Sequence, residues 1–140
     1  MNSRERVIMA LNHQEPDHIP FDLGGTVATG IHKNAYRNLR NQLGLKEVQI
    51  RTEDIIQQLA TVDEDVMELL QADCRNVAPR SSAIYNLELR DEGEYSAYTD
   101  EWGIGWRMPK TGGFYYDMSD HPLAQAHSLE STAKYKSPIP

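Results

Sequence analysis

The residues of this sequence best suited to chemistry lie around a short glycine-rich loop. Asp22 stands two residues before the pair Gly24-Gly25. Glycine lets a backbone turn sharply and approach a ligand closely, and α/β proteins place their chemistry where such a loop follows a strand. The sequence therefore predicts a ligand site at Asp22, Gly24 and Gly25. A tight structural turn is the alternative.

Four more residues have side chains that suit recognition or catalysis. His32 falls in the first turn of the next predicted helix, where it would contact a ligand at the loop or simply lie on the surface. Arg75 and Arg80 would bracket a later strand and bind a carboxylate or phosphate, or else pair with nearby acidic residues. Cys74 has no base beside it in sequence, which favours buried packing over a nucleophilic role.

A second candidate site is aromatic. Asp100, Trp102, Trp106 and Tyr115 lie within a stretch where aromatic residues alternate with polar ones between Gly and Pro. These four side chains would wall an apolar cleft with one acidic contact. Ordinary cross-strand packing explains the same pattern.

The elements that must position the loop begin with a capped helix. Asn2 and Glu5 have the spacing of a capping box, which predicts a helix over residues 3–12. The segment 15–25 is predicted as a buried strand and its loop, on the alternation of Ile19, Phe21 and Leu23.

A second helix is expected after the loop, capped by Thr29 and ended by Gly44. Its apolar positions repeat at helical spacing, whereas Lys33, Arg37 and Arg40 are expected on a solvated face.

The next segments complete a predicted strand, helix and strand. Residues 46–51 are predicted as an edge strand or a loop, and Thr52 as the cap of a short helical segment that contains Ile55, Ile56 and Leu59. A further helix is expected over Asp63–Gln71 and a strand over 74–78. This order predicts a right-handed parallel crossover.

The remainder of the chain has a different texture. Aromatic alternation bounded by Pro and Gly predicts an antiparallel hairpin insertion at about 94–118. A short helix is expected over Ser128–Tyr135, followed by a linker over 136–140.

Composition narrows the class of protein. The chain has 140 residues, 39% apolar and 25% charged, with a net charge of −7 and one cysteine. These values predict one domain, or a piece of one, in a cytoplasmic protein that binds neither nucleic acid nor membrane. A lone cysteine among scattered histidines predicts no tight zinc site in this chain.

Several short motifs follow one another along the chain. They are Arg4 to His13, Pro16 to Phe21, Asp63 to Val66 leading to Ala72 to Val77, Asp100 to Gly103, Gly112 to Tyr115, and His121 to Ala124. Their order resembles the amino-terminal part of the uroporphyrinogen decarboxylase superfamily, which also contains cobalamin-dependent methyltransferases.

The resemblance implies an α/β fold, the amino-terminal portion of a (β/α)8 TIM-type barrel with an inserted antiparallel β-hairpin. Such barrels need about 250 residues, so the chain would supply two barrel strands and the insertion. We therefore expect residues 1–140 to be a fragment of one barrel domain, inactive alone. Its exposed strand edge would favour self-association or a complementary barrel subunit.

The same resemblance separates two branches of the superfamily. Decarboxylases carry an Arg-Gln-Ala-Gly-Arg segment after the first strand and an aspartate after the second, and this chain has neither in Leu23–Gly30 or Asn76–Arg80. The methyltransferase branch is the better match. A longer parent would then use zinc and a corrinoid, delivered by a corrinoid protein, to move a methyl group to or from a small-molecule substrate.

Within that framework the implied substrate-binding residues are Asp22, Gly24, Gly25, His32, Arg75 and Trp102, and the catalytic residues are unknown. Members of the methyltransferase branch hold zinc with a His-x-Cys pair and a later Cys, and this chain contains no His-x-Cys. A non-catalytic binding module and porphyrinogen decarboxylation remain the alternative functions.

Overall fold

The computed structural model describes residues 1–78 and 85–136 of the chain. It divides into two compact units, one made of Met1–Asp54 and Gln58–Ala78, the other of Ile55–Gln57 and Pro79–Pro140. Helices and antiparallel sheets occur in the described residues, which confirms a mixed α and β class. Arg80 and residues 137–140 of the predicted linker lie outside the described residues.

The first unit opens with helix α1, Ser3–Leu11, and its start is the one the sequence predicts. The Asn2 side chain accepts a hydrogen bond from the Glu5 backbone N–H, and the Glu5 carboxylate accepts one from the Asn2 backbone N–H. This reciprocal capping box satisfies two of the free N–H groups at the helix start.

The segment 15–25 does not form the predicted buried strand. Ile19 is 86% exposed and Phe21 is 42% exposed, while Leu23 packs against the core. A backbone hydrogen bond joins the segment to a later part of the chain, since the Asp73 N–H donates to the Phe21 carbonyl at 2.7 Å. An alternating pattern makes a strand only where a neighbouring ladder satisfies its backbone, and no ladder forms here in the described residues.

Helix α2, Lys33–Gln42, follows a single 3₁₀ turn at Val27–Thr29. Its cap is His32 and not Thr29, which lies in the 3₁₀ turn. Gly44 ends the helix with φ +67°, its N–H bonded to the Asn41 carbonyl, as the sequence predicts. The prediction that Arg40 is solvated is wrong, because this side chain is buried.

The predicted helical segment that begins at Thr52 is a hairpin. Strand β1, Thr52–Asp54, pairs antiparallel with β2, Leu59–Ala60, through a turn in which Gln58 has φ +55°. Residues 46–51 adopt no regular structure.

Helix α3, Glu64–Leu69, confirms the helix predicted over Asp63–Gln71 and begins at Asp63. Val66 and Met67 are buried against Tyr36 in the core of this unit. Residues 74–78 form no strand, and every sheet pairing among the described residues is antiparallel, so the predicted parallel crossover is not present there.

The second unit is built on one antiparallel sheet, in which each strand pairs with the next along the chain. The aromatic alternation predicted this region correctly as antiparallel, although the sheet has four strands where one hairpin was expected. A short helix, α4 at Leu129–Ala133, follows with Ser128 as its cap, again as predicted. The strands are β3 Arg90–Glu92, β4 Tyr95–Thr99, β5 Gly105–Pro109 and β6 Asp117–Asp120.

None of the helices in the described parts of the chain has the length and apolar character needed to cross a bilayer.

Candidate functional site

The glycine-rich loop is held closed by the Asp22 carboxylate. Its Oδ1 accepts a hydrogen bond from the Gly25 N–H at 2.9 Å, and its Oδ2 accepts one from the Thr29 hydroxyl at 2.9 Å. The Gly24 N–H donates to the Thr29 carbonyl at 2.9 Å. Asp22 therefore organises the backbone of residues 22–29. This arrangement is the one expected if the loop is a structural turn.

Both glycines face protein atoms. Gly24 has φ +80°, and a Cβ there would lie 2.7 Å from the Val62 Cγ2 atom. A Cβ on Gly25 would collide with the Asp22 carboxylate. The glycines are needed because the loop packs against the core and around Asp22, whatever else the loop binds.

His32 lies at the start of α2 with its Nδ1 atom accepting a hydrogen bond from the Asn34 N–H at 3.2 Å. Its backbone forms an isolated antiparallel bridge with Leu59. The structure thus places His32 as a helix cap in the segment that follows the loop.

Cys74 is close enough to the loop for its ionisation to depend on Asp22. Burial raises the pKa of the Cys74 thiol, and the negative charges of Asp22 and Asp73 raise it further. A thiol in such surroundings stays protonated at neutral pH, which makes it a poor nucleophile and a poor metal ligand.

Arg75 pairs with a local acidic residue, as one of its two predicted interpretations holds. Its Nε and Nη2 atoms donate to the Glu64 carboxylate at 3.0 and 2.6 Å, and Nη1 donates to the Ala72 carbonyl at 2.7 Å. These hydrogen bonds lower the pKa of Glu64. The fork of donors that would recognise a substrate carboxylate is therefore already occupied within this unit.

The sequence does not predict the burial and pairing of two arginines, Arg6 and Arg40. Arg6 donates to the carboxylates of Asp17 and Asp73, and Asp73 also accepts a hydrogen bond from the Phe21 N–H at 2.9 Å. Arg40 donates to both oxygens of Asp65, at 2.8 and 2.9 Å. None of these aspartates lies within one helical turn of its arginine in the sequence, so no local pattern indicates the pairing.

In the second unit, Asp100 is a structural acceptor. Its Oδ2 accepts from the Trp106 Nε1–H at 2.9 Å, and its Oδ1 accepts from the N–H groups of Trp102 and Ile104, each at 2.9 Å. The Trp106 ring stacks on Tyr98 at a centroid distance of 6.3 Å. Asp100 and Trp106 thus shape the turn between β4 and β5, and they are absent from the cleft described next.

An apolar cleft of about 350 Å³ does occur in this unit, and Trp102 lines it. The Tyr135 hydroxyl donates to the Trp102 carbonyl at 2.6 Å and so ties a residue beyond α4 to the turn before β5. Of the four residues predicted to wall a cleft, only Trp102 does so. Among the described residues, the lining consists of Trp102, Ile104, Met118, His121, Pro122, Leu123 and Tyr135.

Sequence reasoning missed most of this lining because the residues come from three separate places in the chain. The sequence His121-Pro122-Leu123 indicates the end of a strand, but no pattern in it predicts that these residues lie beside Trp102. Tyr135 is 33 residues from its hydrogen-bond partner.

Metal binding finds no support in the described residues. Within 1–78 and 85–136, no group of three or more His, Cys, Asp or Glu side chains is arranged to hold an ion.

The chain matches no protein-family model, no curated protein and no solved structure.

Proposed function

We propose that the chain is the amino-terminal part of a uroporphyrinogen decarboxylase-like barrel of the corrinoid-dependent methyltransferase type. The observation that carries this proposal is the contact between Phe21 and Asp73. It brings together the two segments that the resemblance assigns to neighbouring barrel strands, through a backbone hydrogen bond of 2.7 Å and a second bond from the Phe21 N–H to the Asp73 carboxylate.

The electrostatics around the loop support methyl transfer over porphyrinogen decarboxylation. Carboxylates dominate there, since Asp22 and Asp73 both act on the Cys74 thiol. Arg6 is paired with Asp17 and Asp73, and Arg75 with Glu64. A polycarboxylate substrate would meet negative charge and no free guanidinium among these residues.

The loss of arginine contacts to a polycarboxylate substrate costs enough free energy to favour the methyltransferase branch over the decarboxylase branch. Each charged hydrogen bond to a carboxylate contributes roughly 1.5–3 kcal/mol. Two missing contacts would cost about 3–6 kcal/mol, or about two to four powers of ten in affinity for the transition state.

The zinc and corrinoid of this proposal belong to a longer parent protein. The residues described here do not fit a zinc site, because the lone Cys74 thiol has a raised pKa and no group of metal-ligating side chains surrounds it. No step of the chemistry is therefore assigned to residues of this chain. In the proposal, Asp22, Gly24 and Gly25 form one rim of the substrate end of the barrel.

A second candidate function is a binding module that pairs with another subunit. The exposure of Ile19 at 86% and of Val77 at 92% favours it, because both lie in segments that the resemblance assigns to barrel strands. Exposed apolar residues on unpaired extended segments recruit further strands.

The test uses protein expressed from the complete reading frame that contains this sequence. It is incubated anaerobically with methylcobalamin and an alkyl thiol, and separately with uroporphyrinogen. We expect thiol-dependent loss of methylcobalamin and no coproporphyrinogen. Coproporphyrinogen formation without methylcobalamin turnover would reverse the choice of branch. Inactivity in both assays, together with concentration-dependent association in light scattering, would favour the binding module.

A further inference from the structure

The cleft of the second unit has the size of a small-molecule site. Its volume of about 350 Å³ lies near the lower end of the range for ligand pockets, about 300–1,000 Å³. A molecule of one or two fused rings fits in such a space, whereas a large cofactor does not.

The lining of the cleft selects against charge. Its walls are almost entirely apolar, and none of the described residues that line it is acidic or is a lysine or arginine. Burying an ion against such walls costs several kcal/mol without a partner to offset it. A neutral ligand is therefore preferred.

Aromatic side chains give the cleft a preference for a flat ligand. Trp102 is 49% exposed, which leaves room for a stacking partner. The Tyr135 ring forms another part of the lining, and its hydroxyl is committed to the Trp102 carbonyl. Offset stacking and edge contacts with a ring exploit these surfaces better than a saturated molecule does.

One polar group remains for orienting such a ligand. The His121 side chain is part of the lining and makes no hydrogen bond to another side chain or backbone group within residues 1–78 and 85–136. A neutral imidazole offers one donor and one acceptor. It would therefore bond a hydroxyl or carbonyl carried by the ring.

From these observations we propose that the cleft lined by Trp102, Met118, His121 and Tyr135 binds a neutral, planar aromatic molecule of one or two rings that carries a hydroxyl or carbonyl. The ring packs on Trp102 and Tyr135, and the polar group bonds His121. This site lies wholly within the second unit and is independent of the methyl transfer proposed above.

The test is an NMR titration of the full chain with three probes of similar size. The probes are 2-naphthol, its saturated analogue decahydro-2-naphthol, and the permanently charged 2-naphthalenesulfonate. We expect 2-naphthol to bind with a dissociation constant on the order of 0.1–1 mM, and the other two to bind about tenfold more weakly or not at all.

Variants assign the binding to the cleft. We expect Trp102→Ala to weaken 2-naphthol binding about tenfold, Trp102→Phe to retain most of it, and His121→Ala to weaken it about fivefold. Phe114→Ala is the matched control, because Phe114 is 61% exposed and does not line the cleft. Its affinity should equal that of the wild type. Thermal melts confirm that each variant is folded.

Three results would overturn the proposal. One is equal affinity for the planar and saturated probes, and another is an affinity that Trp102→Ala leaves unchanged. The third is a wild-type dimer, seen by sedimentation, that Trp102→Ala dissociates and 2-naphthol does not. In that case a second copy of the chain, and not a small molecule, occupies the cleft.

Discussion

The two units of this chain are stabilised by different means. In the first unit, buried arginines pair with carboxylates, and helices pack on a small core around Tyr36 and Val66. In the second, aromatic rings pack on a four-stranded sheet, and its ion pairs lie at the surface. Two stretches of one sequence thus reach a folded state through charge pairing and through ring packing.

Three of the ion-pairing side chains in the first unit are buried. The Arg6 and Asp73 side chains are 8% and 1% exposed, and Arg40 is 4% exposed. Such groups are stable only while every partner is in place, since a buried charge without its partner is costly.

The second unit depends more on the packing of aromatic rings than on buried ion pairs. Tyr98 packs edge-on against Tyr116 at a centroid distance of 5.0 Å, and both rings are buried. Its ion pair between Lys110 and Asp91 has side chains 40% and 76% exposed, and pairs of this kind add little stability. The comparison therefore predicts that acid and charge deletion act mainly on the first unit.

The largest expected effect comes from acid, which removes several partners at once. The hydrogen bond from Arg6 lowers the pKa of Asp17, that from Arg40 lowers the pKa of Asp65, and those from the Phe21 N–H, Ser3 and Arg6 lower the pKa of Asp73. A carboxyl group with a lowered folded pKa binds fewer protons when folded. The stability it contributes is therefore present above the unfolded pKa of about 4 and is lost as pH falls through the folded value.

Two optical probes separate the units in an acid titration. Both tryptophans belong to the second unit, whereas α1, α2 and α3 belong to the first. We expect far-ultraviolet circular dichroism to report loss of helix at a higher pH than tryptophan fluorescence reports loss of the sheet. Coincident transitions would show that the two units do not differ in this way.

Removal of one buried carboxylate is the next largest effect. Asp73→Ala leaves the Arg6 Nη1 atom and the Phe21 N–H without their acceptor, while Arg6 keeps its contact with Asp17. Hydrogen bonds to a charged group contribute about 1.5–3 kcal/mol each, so we expect a loss of about 3–5 kcal/mol in the free energy of unfolding, measured by urea denaturation.

Asp91→Ala in the second unit provides the control. It also removes an aspartate that accepts from a cation and from a backbone N–H, but this aspartate is 76% exposed. We expect no measurable shift in its urea midpoint. Equal losses in the two variants would contradict the distinction between the units.

The sequence predicts helix ends and strand pairing correctly where these depend on residues close by in the chain. Asn2 with Glu5, Gly44, and Ser128 with Ser131 all mark helix ends correctly, because caps are made by side chains within one turn. The antiparallel strands beyond residue 90 were also predictable, since each pairs with the next along the chain.

The failures occur where distant partners decide the conformation. Residues 15–25 and 74–78 have strand-like patterns, but a strand needs a paired neighbour, and neither segment pairs into a sheet in the described residues. The run Ile55, Ile56 and Leu59 fits a helix as well as a turn, which is the known ambiguity of short apolar runs.

The candidate sites were less predictable than the fold. Asp22 and Trp102 were identified as notable residues, but whether a polar group is free or already paired depends on distances that no pattern encodes. Arg40 illustrates this, because its partner Asp65 lies 25 residues away and the helix pattern alone indicates a solvated side chain.

The smallest expected effect comes from removing one tyrosine hydroxyl in each unit, which compares the two units directly. Tyr36→Phe removes a hydroxyl that donates to the Asp63 carboxylate at 2.9 Å and accepts from the Asp63 N–H at 2.8 Å. Tyr116→Phe removes a hydroxyl whose partner is the Ser96 hydroxyl at 2.7 Å. Hydrogen bonds to charged groups contribute about 1.5–3 kcal/mol and neutral ones about 0.5–1.5 kcal/mol, so we expect Tyr36→Phe to cost more in the free energy of unfolding. Both rings are buried and both variants keep them, so packing is matched and the difference in urea denaturation reports the hydrogen bonds of the two hydroxyls. Equal costs would mean that the carboxylate partner of Tyr36 adds no more stability than the hydroxyl partner of Tyr116. The distinction between a charge-paired unit and a ring-packed unit would then depend only on the arginines of the first unit.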